Sequence, residues 1–132
     1  MAPRKVDPKQ MRAAVTELAE WITHPCDETP GGGGDNAPSR AALAAAVRLS
    51  VHTLGEIAPG GSVEVRVPPF AAVQCIAGPS HNRGTPPNVV EMDPRTWLRV
   101  ATGVESLVGN PKVTMSGTRA PEVAQWLPLL RL

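Results

Sequence analysis

At Ser62 the hydrophobic period of the chain changes from helical to two. Upstream, apolar residues recur at three-then-four spacing. Downstream, Val63, Val65 and Val67 alternate with Glu64 and Arg66, as on a strand with one wet face. Helical patterns return after Asp93 and again near Pro121. Helices first, strands next and helices again predict an α+β layer with helices packed on one face of a mainly antiparallel sheet.

The first helix is expected over Asp7 to Ile22, with Met11, Ala14, Val15, Leu18, Trp21 and Ile22 on one stripe, Asp7 as cap and Pro8 in the first turn. Residues 27–38, with glycine at each of 31–34, read as a flexible surface loop. Ser39 opens a second helix, carrying Leu43, Ala46, Val47, Ser50, Val51 and Leu54, that ends before Pro59-Gly60-Gly61. Strands follow at Ser62 to Val67, Phe70 to Ala77 and Asn88 to Met92. Asp93-Pro94 supplies a side-chain cap and a first-turn proline for a helix with Trp97, Leu98 and Ala101 on its buried stripe, closed by Gly103. Val104 to Val108 reads as a strand or a single helical turn, and Lys112 to Ser116 as a strand. A last helix starts near Pro121 with Val123, Trp126, Leu127 and Leu130 inward, until Pro128 distorts or ends it.

Composition narrows the function classes. The 132 residues suit one domain, and 42% hydrophobic content supports a core that must be aliphatic, with one Phe, three Trp and no Tyr. A formal charge of +1 gives no footprint for a phosphate backbone, so nucleic acid is not an expected partner. The apolar stretches fall short of the roughly 20 residues that cross a bilayer, so no integral membrane contact is expected. The start, Met-Ala-Pro-Arg-Lys, lacks the apolar core of a signal peptide. Cys26 and Cys75 are too few for a disulfide framework and read as free thiols, so the expected location is cytoplasmic.

Catalytic chemistry finds little support. His24, Cys26 and Asp27 lie close together, but no second cluster completes a tetrahedral metal site. Cys75 with His81 as base would make a thiol enzyme, yet Cys75 sits mid-strand, where cysteine acts as a small hydrophobe. Glycines 31–34 lack the strand, the helix and the Gly-Lys-Ser/Thr ending of a phosphate loop. No catalytic residue, metal or cofactor is expected. Trp21, Trp97 and Trp126 occupy core-facing helix positions, where packing competes with a role in lining a cavity. The loop Gly78 to Pro87 carries His81, Asn82, Arg83 and Thr85. The Arg83 guanidinium could hold a carboxylate or phosphate, unless these side chains only satisfy a solvated connection.

Val63 to Phe70, followed by Ala72-Val73-Gln74-Cys75, resembles the sterol-carrier-like proteins of actinobacteria. Gly78-Pro79, His81, Arg83 to Glu91, Asp93-Pro94, Thr96-Trp97-Leu98 and Ala101-Thr102-Gly103 follow that family's signature in order. Val113, Ser116-Gly117, Arg119-Ala120 and Leu127-Pro128-Leu129 match its last strand and tail. The resemblance implies a sterol-carrier-type α+β domain. Its sheet would have about five strands, and an apolar cavity would lie between sheet and carboxy-terminal helices. Related domains bind sterols, fatty acids or acyl thioesters, or are appended without catalytic role to mycothiol-dependent enzymes. The chain departs from the pattern between Gly103 and Val113, where relatives carry a helix, so part of a cavity wall is expected to be missing.

The leading expectation is thus a non-catalytic lipid-binding or lipid-carrying module. Phe70, Val73, Met92, Trp97, Leu98, Met115, Trp126 and Leu127 would line the cavity, with His81 and Arg83 at the headgroup. The alternative is a ligand-free interaction or regulatory domain, acting as a homodimer or docked on a partner enzyme.

Overall fold

The computed structural model describes residues 6–24, 38–78 and 88–132. Most of the Gly-rich loop and all of residues 79–87, with His81 and Arg83, lie outside them.

Asp7 caps α1 (Pro8–Thr16) by accepting from the Lys9 N–H. The expected single first helix is instead two, because the chain turns at Glu17-Leu18 before α2 (Ala19–Thr23). No glycine or proline marks that break. It keeps Met11, Val15, Leu18 and Ile22 all buried. Ser39 caps α3 (Arg40–Ile57) through the Ala42 N–H, and Ala46, Val47, Ser50, Val51 and Leu54 form its buried face.

The sheet has four strands, not the five expected: β1 (Val63–Val67), β2 (Ala71–Cys75), β3 (Val89–Glu91) and β4 (Thr114–Ser116), in the order β2-β1-β3-β4. Residues 104–108 form neither strand nor helix, because the Val104 and Glu105 N–H groups both turn back to the Arg99 carbonyl at the end of α4 (Pro94–Ala101). The outer pairings are antiparallel, whereas β1 and β3 run parallel in the centre.

Register places Val73, Val65, Val90 and Met115 in one row across the sheet, on the same side as Val63, Val67 and Cys75. This is the core face. The opposite side carries Glu64, Arg66, Gln74, Glu91, Thr114 and Ser116, and Arg66 reaches Glu64 at 3.1 Å. Helix α3 covers β2 closely: a Cβ on Gly55 would stand 2.5 Å from Val73 Cγ2.

Trp97, wholly buried on α4, donates from Nε1 to Ser50 Oγ at 2.8 Å and so pins α4 to α3. The last helix is a tighter 3₁₀ segment (Ala120–Trp126). Its three-residue repeat aligns Ala120 and Val123, both fully buried, with half-buried Trp126. Buried Asn88 ties this segment to the sheet, donating to the Ser62 carbonyl and accepting from the Arg119 N–H, each at 2.9 Å. Among the described residues, no helix is long and apolar enough to cross a membrane.

Candidate functional site

The apolar residues expected to line a cavity fall into three environments. Trp97 and Leu98 are wholly buried, Met92 is nearly so, and with Val65 and Val90 they belong to the packed interior. Val73 and Met115 flank that interior at the two ends of the central row, both half-buried. Phe70 sits in the β1–β2 turn, under the Arg40 guanidinium at 5.1 Å and with its carbonyl accepting from Arg48 Nε at 3.2 Å. Trp126 packs half-buried against the core, and Leu127 lines a cleft at the carboxy-terminal side.

That cleft, about 330 Å³, opens where α4 ends. Val100 and Gly103 form one side, Leu107 and Val108 a second, and Ala124, Leu127 and Pro128 a third. The Leu129 N–H donates to the Ala101 carbonyl at 2.7 Å, which holds the third wall against α4. Gly103 adopts φ +82°, a conformation costly for any residue with a Cβ. Its missing side chain leaves room for Arg131, whose Nη1 lies 3.1 Å from where that Cβ would stand.

Glu105 and Ser106 complete the cleft and also border a second one of about 410 Å³, together with Val108, Arg99, Asn110 and Lys112. The carboxylate of Glu105 is fully engaged. It accepts from Arg99 Nε and from Asn110 Nδ2 at 2.9 Å, and Lys112 Nζ lies 3.7 Å away. Burial alone would push this carboxyl up, but the Arg99 and Asn110 hydrogen bonds and the Arg99 and Lys112 charges outweigh it and hold it below its ordinary value.

Arg99 reaches further. Buried on α4, it also donates to the Ile22 and His24 carbonyls at the end of α2. Arg95 joins it there, donating to the Trp21 and His24 carbonyls, each at 3.1 Å. Two guanidinium groups thereby meet the negative end of a helix. Arg95 also stacks over Trp21 at 5.2 Å, and Trp21 borders a third groove of about 300 Å³ with Leu18 and the start of α3.

The thiol of Cys75 lies in the core, and burial pushes it up to about 11, so it stays protonated at neutral pH. Of the suggested metal set only His24 is described. Among the described residues no group of three His, Cys, Asp or Glu could hold an ion.

Glu105, Leu107 and Arg131 escaped the sequence reading. Their section of chain has no periodicity, and the one local signal was Gly103, which marks a left-handed turn but not what packs on it.

No curated protein matches this chain. Residues 39–129 match the family described as bacterial SCP ortholog. The match begins at the Ser39 cap and takes in α3, all four strands, α4 and the 3₁₀ segment, leaving α1, α2 and Arg131 outside. With well over half its length matched, the chain belongs to the bacterial sterol-carrier-like family.

Proposed function

We propose that this protein is a small non-catalytic module that takes up an apolar molecule in the carboxy-terminal cleft. The observation that carries the reading is the cleft itself: aliphatic side chains from α4, from residues 107–108 and from residues 124–128 converge on one space at the edge of the core. Its size, about 330 Å³, falls within the roughly 300–1,000 Å³ of small-molecule sites. The family supplies the chemical direction, since its name is that of lipid carriers. A protonated, buried Cys75 offers no nucleophile, which supports a role without catalysis.

Burying about 200 Å² of apolar ligand surface at about 25 cal/mol per Å² gives about 5 kcal/mol before the cost of association. That gross figure corresponds to a dissociation constant of about 0.2 mM, and the cost of association moves it into the millimolar range. Isothermal titration calorimetry with medium-chain fatty acids and acyl thioesters tests this. Saturable binding that weakens in Val108→Glu, a change at an exposed rim residue, supports the cleft; no heat from any of these ligands refutes it.

A second reading is an interaction domain without a small ligand. It is favoured by Val108 and Val104, 60% and 38% exposed on the segment that rims the cleft. In that case the cleft receives a partner's side chains, and titrated lipids leave it unchanged.

A further inference from the structure

We propose that Arg131 makes the carboxy-terminal cleft selective for anionic apolar molecules, carboxylates above all, over neutral ones of the same length. The inference rests on the reading that the cleft binds an apolar ligand, and adds to it the charge of the headgroup and the residue that selects it. Arg131 lies beyond the residues matched to the family, so membership assigns it no role.

Charge bookkeeping in the cleft carries the argument. Two ionisable side chains border it, Glu105 and Arg131. Glu105 is occupied by Arg99, Asn110 and Lys112, two of them cations, so its negative charge is more than balanced locally. Arg131 has no ion pair or hydrogen bond to any described residue. Its guanidinium lies beside Gly103, with Nη1 3.1 Å and Pro128 Cγ 3.4 Å from where a Cβ on that glycine would stand. The cleft therefore joins aliphatic walls to a planar cation at its border that no acidic side chain among the described residues pairs. A guanidinium so placed suits a carboxylate, which it can meet with two parallel N–H···O bonds. An alcohol or sterol hydroxyl would gain neither the charge nor the second bond.

Decanoate and 1-decanol, titrated separately into the full chain by calorimetry below their aggregation limits, separate the outcomes. The wild type is expected to bind decanoate about fivefold or more tightly than decanol, a modest factor because the headgroup stays partly solvated. Added salt should shrink the preference. Arg131→Gln should abolish it by weakening decanoate far more than decanol, and Arg131→Lys should keep part of it. Arg131 is exposed, so neither change threatens folding. Equal binding of the two ligands by the wild type, or an undiminished preference in Arg131→Gln, overturns the selectivity but leaves the cleft. Binding of neither ligand overturns the cleft and the selectivity together.

Discussion

Trp97 offers the sharpest separation of core from site. Its indole is wholly buried and donates at 2.8 Å to Ser50 Oγ, itself buried and donating to the Ala46 carbonyl at 2.6 Å. Trp97→Phe removes the Nε1 donor and part of the ring, costing about 1 kcal/mol for the bond and about 1–2 kcal/mol for lost volume. The sum, about 2–3 kcal/mol, is a large share of the roughly 5–15 kcal/mol that stabilises a domain. Ser50→Ala leaves the indole N–H buried without its acceptor, at about 1–3 kcal/mol less the better helix propensity of alanine. Combining the two should cost about 1 kcal/mol less than the separate costs added together, because the bond can be lost only once. Urea unfolding followed by circular dichroism measures all four corners of this cycle. Additivity within about 0.3 kcal/mol would refute the Trp97–Ser50 pin. Decanoate affinity should not change in Trp97→Phe, and a tenfold loss would return Trp97 to the ligand site.

Two further variants probe other contacts. Gly55→Ala, ordinarily favourable in a helix by about 1 kcal/mol, should instead destabilise by about 1–3 kcal/mol, since the new methyl would meet Val73 Cγ2 at 2.5 Å. In a Val73→Ala background the sign should reverse, as thermal unfolding would show. Glu105 is held below its ordinary value in the folded state, so its stabilisation is present above the unfolded value of about 4.3 and is lost as pH falls through the folded one. Glu105→Gln should therefore cost about 0.5–1 kcal/mol at neutral pH for a partly solvated pair, and the gap should close on acidification. A gap that widens in acid contradicts the assignment.

Local chemistry was readable wherever it decided the outcome. The Ser39 and Asp93 caps, with their N–H donors from Ala42 and Thr96, open α3 and α4 where the residue types place them. The Val63–Val67 alternation reappears as alternating burial along β1. What stayed hidden depends on contacts between distant residues. Nothing near Leu18 announces a helix break, which follows from packing α1 and α2 around the core. The parallel pairing of β1 with β3 joins residues far apart in the chain, which no alternation encodes. Arg99 falls outside the Trp97, Leu98 and Ala101 stripe of α4, yet it is buried because the carbonyls of Ile22 and His24 and the carboxylate of Glu105 all converge on it. The cleft arises from residues 100–108 meeting residues 124–131, and no periodicity links the two.

The central claim is that an apolar ligand sits in this cleft and not within the sheet. Decanoate added stepwise to ¹⁵N-labelled protein, with amide shifts followed by NMR, tests it directly. The account predicts saturable shifts concentrated at residues 100–108 and 124–131, with the amides of Val65, Val73, Val90 and Met115 unmoved. Shifts centred on that row of the sheet, or no saturable shift at all, would contradict it.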